Sequence, residues 1–212
     1  MRTNLLGDLF RDWSRLRRMG AKPAEVALDA GAWAIATYRV RHKLRSLPRP
    51  LGVPLLLLHW PFELLIRAMT GVRLPSAADI GGGLYLGHIG DITIAAGAHL
   101  GRDVHLSHGA SVAEGRRGGE RGAPFVGDRV YIGPGARISG PVRIGNDASI
   151  AANATVDCDV PDGATVSGVP GAAMSTPAAA IIRGRKPRAP REALRAALRR
   201  VLPRPLPLLV GR

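Results

Sequence analysis

The sequence is poor in cysteine, in aromatic residues and in acidic residues. Cys158 is the single cysteine among 212 residues, which excludes an internal disulfide framework and is typical of a reducing compartment. Aromatic residues make up 4% of the chain and 27 residues are glycine, so we expect a core of small and branched side chains. The amino terminus shows no apolar segment with a cleavage site, so we expect no signal peptide and a cytoplasmic protein.

The sequence also lacks an uninterrupted apolar run long enough to cross a membrane. The longest, PLLLLHWPFELLIRAM, is broken by His59, Pro61, Glu63 and Arg67, whereas a spanning helix needs roughly 20 predominantly apolar residues. We therefore predict that it does not span a bilayer. It is either a helix buried against its neighbours or a helix in peripheral contact with a membrane surface.

The net charge of +14 is unevenly distributed. Residues 1–70 hold 12 basic and 5 acidic residues, residues 71–173 hold 8 and 10, and residues 174–212 hold 10 and 1. Basic ends of this kind bind anionic lipid or nucleic acid, or remain solvated. We expect peripheral contact with the inner face of the membrane through these ends, and no nucleic acid.

A six-residue period begins at residue 80 and determines the fold prediction. A six-residue step does not return to one helical face, but it suits short strands joined by tight turns, with three hexads forming each coil of a solenoid. We predict a mainly β protein, a parallel β-helix of four to five coils. The aliphatic positions are Ile80, Leu86, Ile94, Leu100, Leu106, Val112, Val126, Ile132, Ile138, Ile144, Ile150 and Val156.

Three segments follow from this pattern. Residues 1–71 show apolar residues at helical spacing and are predicted to form a small helical domain that caps the first coil, with a break at SLPRPLGVP before an apolar helical segment at 54–70. Residues 72–173 form the β-helix, which the chain leaves through VPDGATVSGVPGAAM. Residues 174–212 form a basic helical tail.

The period breaks twice, and insertions in a solenoid project from its surface, where binding sites are often built. The step from Leu86 to Ile94, which contains His88, is two residues longer than a hexad, and the step from Val112 to Val126, which contains EGRRGGERGA, is eight residues longer. The longer insertion is either functional or a disordered polar loop. We predict that it projects beside the histidines described next.

Counting hexads predicts which residues stack on successive coils, roughly 4.8 Å apart. The hexads that start at Leu86, Leu106, Ile132 and Ile150 fall on one side of the solenoid. Their third residues form a column that starts with two histidines and continues with two small residues, His88, His108, Pro134 and Ala152. This column predicts a site in which a ligand lies close to the backbone.

Four segments of the chain resemble the hexapeptide-repeat acyltransferases, and within them the serine O-acetyltransferase branch with its relatives in colanic acid and exopolysaccharide biosynthesis. They are ADIGGGLYLGHIGDITI, LGRDVHLSHGASV, GAPFVGDRVYIGPGARISG and SGVPGAAM. The resemblance covers about residues 35–173. It implies a left-handed β-helix, an exception to the usual right-handed crossover.

The resemblance also implies a chemistry and a set of site residues. His88 falls on the family's catalytic histidine, a general base that takes the proton of an acceptor hydroxyl as its oxygen attacks acetyl-CoA; His108 is its predicted partner. The family is trimeric with sites between subunits, so the loop at residues 114–123 is expected to serve a neighbouring chain, and no metal is required. The predicted coenzyme A channel runs past Gly133, Pro134, Ala151 and Ala152.

The chain departs from the serine-specific pattern at three positions. Arg73 stands where those enzymes have an aspartate, Ala123 where they have a second histidine before a proline, and Asp91 where a glycine follows the catalytic histidine. From these changes we predict a saccharide hydroxyl as acceptor, with L-serine as the alternative. Asp91, Glu114 and Glu120 are the candidate acids that orient the base or the substrate.

Three other functions remain open. A zinc hydrolyase on the same fold would use His88, His105 and His108, since zinc needs convergent ligands and an open position, but His105 occupies another part of the hexad. A non-catalytic scaffold or nucleic-acid binder would depend on the basic ends. Cys158 as a nucleophile is less favoured because it has no adjacent histidine.

Overall fold

The computed structural model describes residues 5–20, 22–168 and 172–174. Its amino-terminal part contains four helices: α1 (Leu5–Arg18), α2 (Pro23–Leu28), α3 (Ala30–Arg45) and α4 (Arg49–Thr70). The helical spacing within AEVALDAGAWAIATYRVRHKL, residues 24–44, is divided between α2 and α3. The division falls at Asp29, whose backbone is extended and whose side chain accepts a hydrogen bond from the N–H of Ala32 at 2.7 Å. An aspartate in this position stabilises a helix start.

Helix α4 differs from the prediction in extent and in burial. It begins at Arg49 rather than at residue 54, runs through Pro54 and Pro61, and ends at Gly71 in the left-handed conformation. Only Gly52 and Thr70 are buried, so the interpretation of a helix buried against its neighbours is wrong for this chain. By length and composition α4 could cross a membrane, with a mean hydropathy of 1.3, so the judgement that the segment is too short and too polar also fails.

Sixteen short strands, separated by turns, follow the helices along the chain. They are β1 (Asp79–Ile80), β2 (Tyr85–Leu86), β3 (Thr93–Ile94), β4 (His99–Leu100), β5 (His105–Leu106), β6 (Ser111–Ala113), β7 (Gly115–Arg117), β8 (Glu120–Gly122), β9 (Phe125–Val126), β10 (Tyr131–Ile132), β11 (Arg137–Ser139), β12 (Arg143–Ile144), β13 (Ser149–Ile150), β14 (Thr155–Val156), β15 (Thr165–Ser167) and β16 (Ala172–Met174).

The strands form three parallel sheets, which we call faces A, B and C of the solenoid. Face A contains β3, β6, β11 and β14; face B contains β1, β4, β9 and β12; face C contains β2, β5, β10, β13 and β15. Successive strands along the chain change face, so three strands make one coil, and the number of coils agrees with the four to five predicted. Strand β16 pairs with β15 in the antiparallel sense, so the closing segment returns to the sheet instead of leaving it.

The solenoid core consists of the predicted aliphatic positions. All twelve are buried, and so are most of the residues four positions after them, such as Ala136, Ala148 and Ala154. Small and branched side chains fill the narrow interior without an aromatic ring, as the low aromatic content indicated. The predicted basic helical tail from residue 174 lies, apart from Met174, outside the described residues.

The two insertions take different forms. Residues 87–91 make a bend between β2 and β3, in which Asp91 has a positive φ of 49°. The longer insertion is an ordered antiparallel hairpin of β7 and β8, and not a disordered loop. Gly118 and Gly119 both have positive φ at its tip, as a two-residue hairpin turn requires.

Helix α3 covers the first coil. The Tyr38 hydroxyl donates a hydrogen bond to the carbonyl of Ala78 at 2.8 Å and accepts one from the N–H of Ile80 at 3.2 Å. Two backbone groups at the end of the solenoid are thereby satisfied by the helix, which helps to cover this edge against pairing with another chain.

A buried ion pair joins α1 and α3 to the same coil. Asp12 and Arg39 are both at least 94% buried at the side chain, with Oδ2 and Nε 3.0 Å apart. Asp12 Oδ1 also accepts the N–H groups of Gly83 and Leu84, at 2.6 and 2.9 Å. Burial raises the pKa of Asp12, while Arg39 and these two donors oppose that shift.

Candidate functional site

Two histidines meet at the corner between face C and face A. His88 follows β2 and His108 follows β5, and their ring centroids lie 5.9 Å apart at an interplanar angle of 63°. Both side chains are exposed. The structure therefore brings together the pair that the repeat placed in one column.

The strand register accounts for this placement. Leu106 pairs with Leu86 on one side and with Ile132 on the other, and Ile132 pairs with Ile150. The four hexads counted from the sequence thus lie on one side of successive coils, as predicted. Pro134 and Ala152 follow the histidines at the equivalent turns.

A polar groove of about 580 Å³ runs across the coils one residue beyond the histidine column. One turn at its edge requires glycine, because a Cβ on Gly135, which has a φ of +66°, would clash with Oδ1 of Asn153. The outward-facing residues of face A form its floor. Its lining residues are Asp91, Thr93, Gly109, Ser111, Gly135, Arg137, Asn153 and Thr155.

The four residues predicted for the coenzyme A channel belong to the turn beside this groove. Gly133 is packed against the next coil, where a Cβ would lie 2.8 Å from the N of Ala152. Pro134, Ala151 and Ala152 sit in the same stacked turns but are not among the residues that line the groove. The sequence could have shown four of the lining residues, because the residue before each aliphatic position of a hexad points outward. These four are Thr93, Ser111, Arg137 and Thr155.

The candidate acids are divided between two corners of the solenoid. Asp91 lies three residues after His88 and lines the groove. Glu114 and Glu120 belong to the hairpin, which joins β6 of face A to β9 of face B and so leaves from the far edge of face A. Glu114 is paired there with Arg121 at 3.2 Å. The prediction that the hairpin projects beside the histidine column is therefore wrong within one chain.

His105 has a different environment from the other two histidines. It lies on face C between Tyr85 and Tyr131, with ring centroids 4.7 and 4.9 Å away and nearly perpendicular planes. Burial, with smaller contributions from Arg15 and His88, lowers the pKa of His105 to about 4. Its imidazole is neutral at physiological pH and forms part of an aromatic ladder.

This shift predicts an acid-sensitive stability. A histidine whose pKa falls from 6.5 to about 4 on folding binds protons more readily in the unfolded chain, so its stabilising contribution is complete above pH 6.5 and is lost as the pH falls towards 4. Replacing His105 with glutamine should therefore flatten the decrease in unfolding temperature over this interval. An identical decrease in the variant and the parent would contradict the assignment.

The described residues give the zinc and cysteine hypotheses no further support. Within residues 5–20, 22–168 and 172–174, no three His, Cys, Asp or Glu side chains come together as a metal site. Cys158 is half-buried and follows β14, the last strand of face A, so it lies at a corner other than that of the histidines.

A second cavity adjoins the groove. It measures about 260 Å³, lies between α3, α4 and the first coil, and shares Thr93 with the groove. Three arginines line it, Arg41, Arg67 and Arg73, against one acid, Glu63; Arg41 forms an ion pair with Glu63. The remaining positive charge makes this cavity suitable for an anionic group.

Comparison with known proteins gives one matching family and several related proteins. The family pattern "Bacterial transferase hexapeptide (six repeats)" matches residues 123–158. A serine acetyltransferase of Mycobacterium tuberculosis is 44% identical over 106 residues, which are 50% of this chain and 46% of the relative. A Helicobacter pylori serine acetyltransferase is 37% identical over 49% of this chain and 61% of its own length. The chain thus spans about half the length of these relatives.

Solved structures extend the similarity to most of the fold. The serine acetyltransferase of Neisseria gonorrhoeae in complex with serine superposes with a TM-score of 0.68 and 30% identity, over 82% of this chain and 70% of that one. These neighbours confirm the predicted left-handed β-helix of hexapeptide repeats and its amino-terminal helices.

Proposed function

Because the chain belongs to the hexapeptide-repeat transferases, in the serine acetyltransferase-like branch, we propose that it is an acetyl-CoA-dependent O-acetyltransferase. The observation that carries this proposal is the exposed His88 beside His108 at the edge of the polar groove, which Asp91 and Gly109 line. An imidazole at this place can exchange protons with a substrate held in the groove.

The proposed reaction is a direct transfer. His88 takes the proton of the acceptor hydroxyl while the oxygen attacks the thioester carbonyl. The bond between carbon and sulfur breaks, the new ester forms, and the imidazolium returns its proton to the departing thiolate of coenzyme A. The groove residues Ser111, Arg137, Asn153 and Thr155 offer the polar groups that would hold coenzyme A.

We further propose L-serine, ahead of a saccharide hydroxyl, as the acceptor. The relatives described above are serine acetyltransferases, one of them solved with serine, so the sequence-based preference for a saccharide is the less supported of the two. The arginine-lined cavity also favours serine, because its carboxylate can pair with Arg67 or Arg73. A neutral sugar would leave this positive charge unmatched.

The activity test is the release of coenzyme A from acetyl-CoA in the presence of purified full-length protein. L-serine is the first acceptor, and neutral mono- and oligosaccharides form the second arm. Turnover with serine alone supports both parts of the proposal, and turnover with a saccharide alone restores the original preference. No acceptor-dependent release in either arm would contradict the proposed function.

Arg73 provides a test of the acceptor site. Replacing Arg73 with alanine removes a cation from the cavity, and the loss of a charge-assisted hydrogen bond of about 1.5–3 kcal/mol should raise KM for serine roughly 10- to 100-fold with little change in kcat. The matched control is Arg137→Ala, on the same outward column of face A but within the groove. The Arg137 variant should raise KM for acetyl-CoA instead. If Arg73→Ala raised KM for acetyl-CoA and Arg137→Ala raised KM for serine, the acceptor would bind outside this cavity.

We also propose that the active form is a homotrimer in which the hairpin of β7 and β8 reaches a neighbouring chain's site. The supporting observation is that the hairpin lies at the far edge of face A from its own histidines. In a ring of three chains, this edge can face the histidine corner of a neighbour. Glu114 and Glu120 would then act on that chain's substrate.

A further inference from the structure

Helix α4 exposes more apolar surface than any feature of the proposed active site explains. Ten large apolar side chains on this helix are exposed, by between 42% and 77%. Soluble monomeric proteins rarely expose a contiguous apolar patch of this extent unless it contacts a partner or a membrane. The ten are Leu51, Val53, Leu55, Leu57, Leu58, Trp60, Phe62, Leu64, Leu65 and Met69.

These residues surround much of the helix. One stripe runs at three- and four-residue spacing from Leu51 to Met69, and a second runs from Val53 to Leu64. Helix α3 packs on one side, where Trp33 and Phe62 meet edge to face with ring centroids 6.2 Å apart. A helix that is apolar over most of its circumference is suited to burial or to lipid, and α3 covers only part of it.

The position of α4 in the fold excludes a transmembrane orientation. Helix α3 packs against α4 and carries Arg39, Arg41, Lys43 and Arg45, and it is fixed to the first coil by Tyr38 and Arg39. A spanning α4 would bring these charges into the hydrocarbon region, at high cost. The helix must therefore lie along a surface, as interfacial helices do.

The charge around α4 distinguishes a membrane from a second copy of the chain. Residues 1–70 carry 12 basic and 5 acidic residues, so two copies joined through this region would bring like charges together. An anionic bilayer offers the opposite charge. Trp13, Trp33 and Trp60 are also exposed in this region, and tryptophan is favoured at the boundary between headgroups and hydrocarbon.

We propose that α4 is a membrane-docking helix that lies in the interfacial plane of a bilayer containing anionic lipid. Leu51, Leu58 and Leu65 enter the acyl region, while the basic residues at the helix ends contact the headgroups. This assignment does not depend on the acetyltransferase activity. It follows the alternative of peripheral membrane contact that the sequence left open for this segment, and it makes the apolar helix the main binding surface, with the basic ends only assisting it.

The test is sedimentation of the full-length protein with vesicles. One set contains phosphatidylcholine alone and the other contains phosphatidylcholine with phosphatidylglycerol. Binding should be strong to the anionic vesicles and weaker at high salt, since exposed charges are screened. The double variant Leu58→Glu, Leu65→Glu should bind at least about tenfold more weakly, because acidic groups on this face oppose both insertion and the anionic headgroups.

The control is Phe125→Glu, which introduces an acidic group at an exposed aromatic residue on face B and should bind like the parent. Light scattering without vesicles measures self-association of the chain, which is the competing explanation for the apolar surface. Self-association that the double variant abolishes, together with an absence of vesicle binding by the parent, would assign α4 to a contact between copies and overturn the proposal. Equal vesicle binding by the parent and the double variant would also overturn it.

Discussion

Replacing His88 with alanine is expected to lower kcat for coenzyme A release by roughly 10²- to 10⁴-fold, the usual contribution of a positioned general base. The side chain is exposed at a bend of the solenoid, so its removal leaves the buried core intact. The loss should therefore appear in kcat, with the binding of acetyl-CoA little changed. Steady-state kinetics with both substrates varied measures the two effects separately.

His108→Ala is the matched control, because it removes the other imidazole of the pair at the equivalent turn of the next coil. We expect a smaller loss, since His108 faces His88 and assists its orientation. If the His108 variant shows the large loss and the His88 variant retains activity, the roles are reversed. Full activity in both variants would contradict histidine base catalysis and favour a non-catalytic role.

The core and the histidine pair could be predicted from the sequence, because residues at equivalent places of the repeat stack on successive coils of a solenoid. Once the hexad is identified, the pairing of Leu86 with Leu106 follows from counting, and His88 and His108 are carried with it. The same rule gives the outward residues of face A. Those residues line the groove together with Gly109, Gly135 and Asn153 of the adjoining turns, whereas Gly133 and Pro134 do not.

Other features depend on information outside the repeat. The direction of the hairpin follows from the face that β6 leaves, and insertion length alone does not reveal it. From the sequence, Arg73 indicates that the aspartate partner of the serine-specific enzymes is missing. In the structure it lines a cavity with Arg41 and Arg67. The exposure of α4 depends on what packs beside it, since an apolar run of this kind occurs in both buried and interfacial helices.

Asp12→Ala is expected to cause the largest loss of stability among the changes considered. Arg39 would remain buried without its carboxylate, with only the backbone carbonyls of Ile80 and Gly81 as acceptors, and the N–H groups of Gly83 and Leu84 would lose theirs. Removing one member of a buried ion pair costs about 3–5 kcal/mol. Denaturant unfolding of the full-length protein should show this decrease in the free energy of unfolding.

The control for this prediction is an ion pair of similar geometry on the surface. Arg102 and Asp128 approach to 3.0 Å, but the Arg102 side chain is 51% exposed, and Arg102→Ala should change the unfolding free energy by no more than about 1 kcal/mol. The two pairs are alike in their charges and distances and differ in burial, although the acid is removed from one and the base from the other. Equal losses in the two variants would mean that the contact between α1, α3 and the first coil does not depend on the buried charge of Asp12.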